Sequence, residues 1–222
     1  MKPLVVVNFK AYKEGFTEEG FKLIDLLSPY ENVIMAVPAP LIGIAAGHYI
    51  KDGVCARQAK VFAEHVDSTE PGAHTGVVTV EEIKVAGASG SLLNHSEHRL
   101  PFDEIKKTIK RLKDARLQVI LCCQSPEEAV KFRDLKPDYL AYEPPELIGG
   151  NVSVTSSKPE IIKEIVNAVR PVKVLVGAGV KTREDIIKSM ELGAVGVLIA
   201  SGLIKAENKE EKVRELVEFE DS

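Results

Sequence analysis

The sequence predicts an α/β protein, a closed (β/α)8 barrel in one domain over residues 1–222. Three observations carry that prediction. Eight short, β-rich apolar runs alternate with longer stretches of helical period, the pattern of repeated strand–helix units. No Pro/Gly/Ser-rich linker divides the 222 residues, a length that buries one sizeable core. Polar or glycine residues follow most of the runs, at the strand ends where such barrels carry their chemistry.

The strands are expected at 4–9 (LVVVNF), 32–37 (NVIMAV), 54–59 (VCARQA), 90–94 (GSLLN), 118–123 (QVILCC), 139–142 (YLAY), 173–176 (KVLV) and 196–200 (GVLIA). Each is a short apolar or β-branched run bounded by turn or helix signals. Between the first three lie helical segments near 17–28 and 40–50. Later helices announce their N-termini: Thr79-Val-Glu-Glu82 and Ser125-Pro-Glu-Glu128 have the spacing of capping boxes, and Ser157-Lys-Pro-Glu160 puts proline and an acid in a first turn. Segments 101–115, 158–169, 182–192 and 208–219 each show one apolar stripe against a Lys/Glu face, as a helix covering a sheet should. The chain is shorter than the ~250 residues typical of the fold, so some helices must be short. Residues 60–78 form the longest non-periodic stretch, read as a functional or interfacial loop.

Composition narrows the partners. Twenty-nine basic against 33 acidic residues leave a net charge of −4, which argues against a nucleic-acid or anionic-membrane surface. The basic segment 105–116 has no interleaved aromatics and reads as a solvated helix face. No apolar run approaches the ~20 residues of a membrane span, and Met1-Lys-Pro leads directly into a strand. Cys55, Cys122 and Cys123 form no disulfide framework, so reduced thiols and a cytoplasmic setting are expected.

The strand ends suggest what the barrel does. Gly177-Ala-Gly179 and Ala200-Ser-Gly202 follow the last two strands, where backbone N–H groups and a short extra helix bind phosphate in many barrels. Lys10, after Asn8 and Phe9, brings a charge into the mouth, with Glu97 as an ion-pair partner; a Schiff-base role would need a depressed pKa, which a carboxylate neighbour opposes. His95 begins the run HSEHR, where a helix N-terminus would keep its imidazole neutral. His95 and His98 with His65 and Asp67 are a poor metal set, because no second strand completes it. His48 and His74 read as ordinary histidines. Glu143 precedes Pro144, so it is biased to extended backbone over the mouth, and Pro144-Pro145 with Gly149-Gly150 bracket a tip able to close as a lid. A desolvated carboxylate there could take a proton from carbon α to a carbonyl while His95 and Lys10 stabilise the oxygen's charge, an enediolate mechanism.

Five motifs, in order, resemble the triosephosphate isomerase family: Asn8-Phe-Lys10, NHSEHR at 94–99, YEPPELIGG at 142–150, VGAGVKT at 176–182 and GVLIASGLIKA at 196–206. Asn94, His98, the lid tip ELIGG and the loop GAG depart from common bacterial and eukaryotic forms and resemble the shorter archaeal branch. The resemblance implies a TIM barrel that needs no metal or cofactor and interconverts dihydroxyacetone phosphate and D-glyceraldehyde 3-phosphate. It implies Glu143 as base, His95 as neutral electrophile, Lys10 as electrostatic anchor paired with Glu97, and Asn8 as a cavity-lining donor. Substrate contacts would come from Phe9, Ile148, Gly179, Ala200 and Ser201, and the 65–78 loop would build a homodimer or homotetramer. The rival readings are a metal-dependent epimerase, a Schiff-base aldolase or a non-catalytic phosphate-binding barrel.

Overall fold

The structure, a computed structural model, describes residues 2–47, 58–147 and 153–219. Eight parallel strands close on themselves in chain order: β1 (Leu4–Asn8), β2 (Val33–Val37), β3 (Lys60–Ala63), β4 (Gly90–Leu93), β5 (Gln118–Cys123), β6 (Tyr139–Tyr142), β7 (Lys173–Val176) and β8 (Gly196–Ile199). Closure runs through the β1–β8 register from Leu4↔Gly196 to Val7↔Ile199. Gly196 permits it, because a β carbon there would lie 1.9 Å from the Leu4 carbonyl oxygen.

Alternation along each strand divides the apolar residues between two cores. Val6, Ile34, Phe62, Leu92, Ile120 and Leu175 fill the barrel interior. Val5, Val7, Val33 and Met35 face outward into the layer shared with the helices. Both sides are buried, so the strands read as continuous apolar runs.

That outer layer is α1 (Glu18–Leu27), α2 (Ile42–Ala45), α3 (Val80–Val85), α4 (Phe102–Asp114), α5 (Pro126–Arg133), α6 (Val154–Ser157), α7 (Pro159–Ala168), α8 (Arg183–Glu191), α9 (Ser201–Ile204) and α10 (Lys209–Val217). The length economy falls on α2, α6 and α9, of four residues each. Thr79 and Glu82 form the expected capping box of α3. At α5 the box is half made: Ser125 accepts from the Glu128 N–H, but Glu128 reaches one residue further back, to the Gln124 N–H at 2.8 Å. Thr182 and Asp185 supply another box at α8.

Seven strands stand where the sequence puts them, within one residue at either end, and the third does not. Positions 54–57 of the expected strand 54–59 lie outside the described residues, and β3 occupies Lys60–Ala63 instead. The Gln58 and Ala59 N–H groups both donate to the Ser28 carbonyl, at 2.8 and 3.0 Å, so this approach seals the end of α1 instead of pairing with β2. The register Ile34↔Lys60 to Val37↔Ala63 then fixes Val61, Phe62 and Ala63 as the buried part. The long loop is correspondingly shorter than 60–78. Its neck closes where the Asp67 N–H meets the Val78 carbonyl and the Val78 N–H meets Asp67 Oδ2, both at 2.8 Å. Residues 70–76 project as an exposed tip.

Candidate active site

At the C-terminal ends of the strands a cavity of about 50 Å³ is lined by Lys10, Glu143, Gly177, Gly179, Ala200 and Ser201, among others. A larger recess, of about 710 Å³, opens where β5, β6 and β7 begin and is lined by Gln118, Tyr139 and Lys173. Size does not choose between them. The chemistry gathers at the smaller one, the end where barrel loops converge.

Lys10 sits in the left-handed region at φ 49, a costly backbone state for a side-chain residue. Its N–H donates to Asn8 Oδ1 at 3.1 Å, which holds the turn, and its ammonium meets Glu97 Oε1 at 2.7 Å. Asn8 is buried. Phe9 is buried too, and its N–H is committed to the Ala36 carbonyl at 2.9 Å, so that N–H is already spent on the barrel.

His95 does not begin a helix, which corrects the expectation drawn from the sequence. Its turn closes through the His98 N–H and the His95 carbonyl at 2.8 Å, and α4 starts only at Phe102, after Pro101. A proline biases Leu100 away from helical backbone, which delays the helix. Asn94, at φ 61, pins the turn by donating to the Cys122 carbonyl and accepting from the Leu100 N–H, both at 3.0 Å. The ring's state therefore rests on hydrogen bonds, not a helix dipole. The Glu97 N–H donates to Nδ1 at 3.2 Å, and a ring nitrogen that accepts there carries no proton. Burial also favours the neutral ring, whereas the Glu143 carboxylate pulls the other way and raises the histidine above its ordinary value. We assign the proton to Nε2 because the donor at Nδ1 is a fixed backbone group.

Glu143 follows β6, its N–H held by the Cys123 carbonyl at 2.9 Å, and is almost wholly buried. Its Oε1 lies 3.4 Å from His95 Nε2. That is an electrostatic approach without hydrogen-bond geometry, because His95 Nε2 and Glu143 Oε2 are both buried with no hydrogen-bond partner. The neighbouring Cys122 thiol is pushed well above its ordinary range by burial and by the Glu143 charge, so it is inert. Gly177 packs against the carboxylate: a β carbon there would lie 2.6 Å from Glu143 Cγ. Further along the chain the Val154 N–H donates to the Ala178 carbonyl at 3.1 Å, tying the start of α6 to the glycine loop.

The family model for triosephosphate isomerase matches residues 3–219. The chain belongs to the triosephosphate isomerase family. The triosephosphate isomerase of Thermoplasma volcanium is 40% identical over 215 residues, covering 96% of this chain and 98% of that one. That of Archaeoglobus fulgidus is 40% identical over 220 residues, with 96% of each chain covered. The crystal structure of triosephosphate isomerase from Bartonella henselae superposes with a TM-score of 0.69 at 18% identity, over 96% of this chain and 98% of that one, a likeness of fold.

Within this triosephosphate isomerase barrel, Lys10, Glu143, Gly179, Ala200 and Ser201 border one cavity, and His95 and Glu97 adjoin it through Glu143 and Lys10. Gly179, at φ 68, makes the turn after β7, and Ala200 precedes the four-residue helix α9. Ile148, with Gly149 and Gly150 of the expected lid, lies outside the described residues. His65 bonds Asp67 at 3.2 Å and its ring lies 4.3 Å from that of His98, and among the described residues no three His, Cys, Asp or Glu side chains form a ligand group. The sequence assigned Gly177 to a phosphate turn and did not reveal that it makes room for Glu143 or that Asn94 pins the His95 turn. A glycine directly after a strand is a visible signal, but only the packed neighbour says what it makes room for.

Proposed function

We propose that the chain interconverts dihydroxyacetone phosphate and D-glyceraldehyde 3-phosphate through an enediolate, in glycolysis and gluconeogenesis, in the cytoplasm and without metal or cofactor. The observation that carries this reading is the approach of a buried Glu143 carboxylate to His95 Nε2 at 3.4 Å beside a cavity that Lys10 also lines. Glu143 takes the proton from the substrate carbon and returns it to the adjacent carbon. His95, protonated on Nε2, donates to the oxygen on which charge develops, and the Lys10 ammonium, steadied by Glu97, stabilises the same charge. Asn8 holds the Lys10 turn. Backbone N–H groups at Gly179, Ala200 and Ser201 take the phosphate, with α9 extending the last of these loops. Ile148 completes the substrate contacts, and Phe9, whose N–H is committed to the Ala36 carbonyl, backs the Lys10 turn. The unpartnered Nε2 and Oε2 are groups that a bound triose would satisfy.

A coupled assay with D-glyceraldehyde 3-phosphate tests the reading. Turnover is expected to persist in excess chelator, and borohydride should trap no substrate on Lys10. Absent turnover, or activity lost to the chelator, would overturn it.

The exposed tip at 70–76, on a neck closed by Asp67 and Val78, supports assembly through the 65–78 loop into a homodimer or homotetramer. Sedimentation equilibrium of the native chain is expected to report two or four copies, and a monomer at assay concentration would rule that out.

A further inference from the structure

Glu64 stands one residue past β3, and the mechanism above gives it no part. Its N–H extends the β2–β3 ladder to the Val37 carbonyl at 3.2 Å. Its Oε1 is buried with no hydrogen-bond partner. The groups facing its carboxylate come from the strand ends on either side: the Lys10 N–H and ammonium after β1, and His95 and Glu97 after β4. On β2 the Val37 carbonyl is taken by Glu64's own N–H, and on Glu64's own segment His65 and Asp67 are engaged with each other at 3.2 Å. The donor that acts on it is shared, because the Lys10 N–H also points at Asn8 Oδ1 at 3.1 Å. Glu64 is half-buried, and a carboxylate with one oxygen buried and unpartnered favours its proton. Burial lifts Glu64 to about 7 and the Glu97 charge adds to the rise, against the pull of the Lys10 N–H, His95 and the Lys10 ammonium.

We propose that Glu64 is a positioning residue that sets affinity for the phosphorylated substrate through its own charge. Neutral, it leaves the Lys10 ammonium to Glu97 and the ligand; ionised, it draws on that ammonium and repels a phosphate dianion. The inference rests on the isomerase reading, from which the dianion comes. Glu64 is neutral below its raised pKa and ionised above it, so affinity falls as pH rises through the neutral range.

Calorimetric titration with 2-phosphoglycolate from about pH 6 to about pH 9 tests it, beginning where the ligand's own phosphate ionises. That ionisation is common to every variant and cancels in the ratio of affinities. Across the interval the native chain is expected to lose about tenfold in affinity relative to Glu64→Gln. Glu64→Asp, which keeps the charge, should follow the native profile. Parallel profiles for the native chain and Glu64→Gln, or an Asp profile that follows Gln, would overturn the proposal. If 2-phosphoglycolate bound none of the three, the isomerase reading itself would fall.

Discussion

Glu143→Gln is expected to lower kcat by about 10⁴-fold while leaving the fold and the affinity for glycerol 3-phosphate intact. The carboxamide keeps the shape and volume of the side chain, so packing against Gly177 is preserved. It cannot take a proton from carbon, and neither His95 nor Cys122 beside it can substitute. His95 Nδ1 is occupied by the Glu97 N–H, and the Cys122 thiol is held protonated by burial. Stability should not fall with activity. Glu143 Oε2 is a buried acceptor without a partner, and exchanging a desolvated charge for a neutral amide leaves the melting temperature level or slightly higher. Two measurements check this: steady-state turnover, and incorporation of solvent deuterium into the triose, which should vanish in parallel. Turnover within tenfold of native would remove Glu143 from the proton-transfer step.

The residues that meet around the cavity were legible in the sequence because they follow apolar runs whose ends are easy to place. Lys10 and Glu97 come from strand ends 87 positions apart, and their 2.7 Å contact is the one a barrel reading expects. What escaped depended on contacts between elements. The third strand offers only Val61, Phe62 and Ala63, and it forms because β2 provides a ladder and Ser28 turns the preceding residues aside. That misplacement hid Glu64, which looks like loop until β3 is known to end at Ala63. The environment of His95 was misjudged for a related reason: the start of α4 is set by Pro101 and by Asn94 bonding the Leu100 N–H, neither of which a motif displays. Gly177 shows the same limit. Its lack of a side chain has meaning only beside Glu143.

Gly177→Ala is therefore expected to lower kcat by about 10²-fold, the scale set by a roughly 1 Å displacement of a reacting group. The added carbon would lie 2.6 Å from Glu143 Cγ and 3.1 Å from Cδ and Oε1, too close on all three counts. Backbone strain does not contribute, because Gly177, unlike Gly179 at φ 68, is not at positive φ. The nearest atoms to that carbon all belong to the glutamate, so the carboxylate yields before the barrel does, at a stability cost of about 1–3 kcal/mol. A loss confined to kcat, with glycerol 3-phosphate affinity retained, separates a displaced base from a displaced phosphate loop. A double-mutant cycle adds the sharper test. In a chain that already carries Glu143→Gln, the Gly177 change should cost almost nothing further, because the group it displaces no longer abstracts a proton. Additive losses in the two variants would mean that Gly177 acts through the glycine loop and not through Glu143.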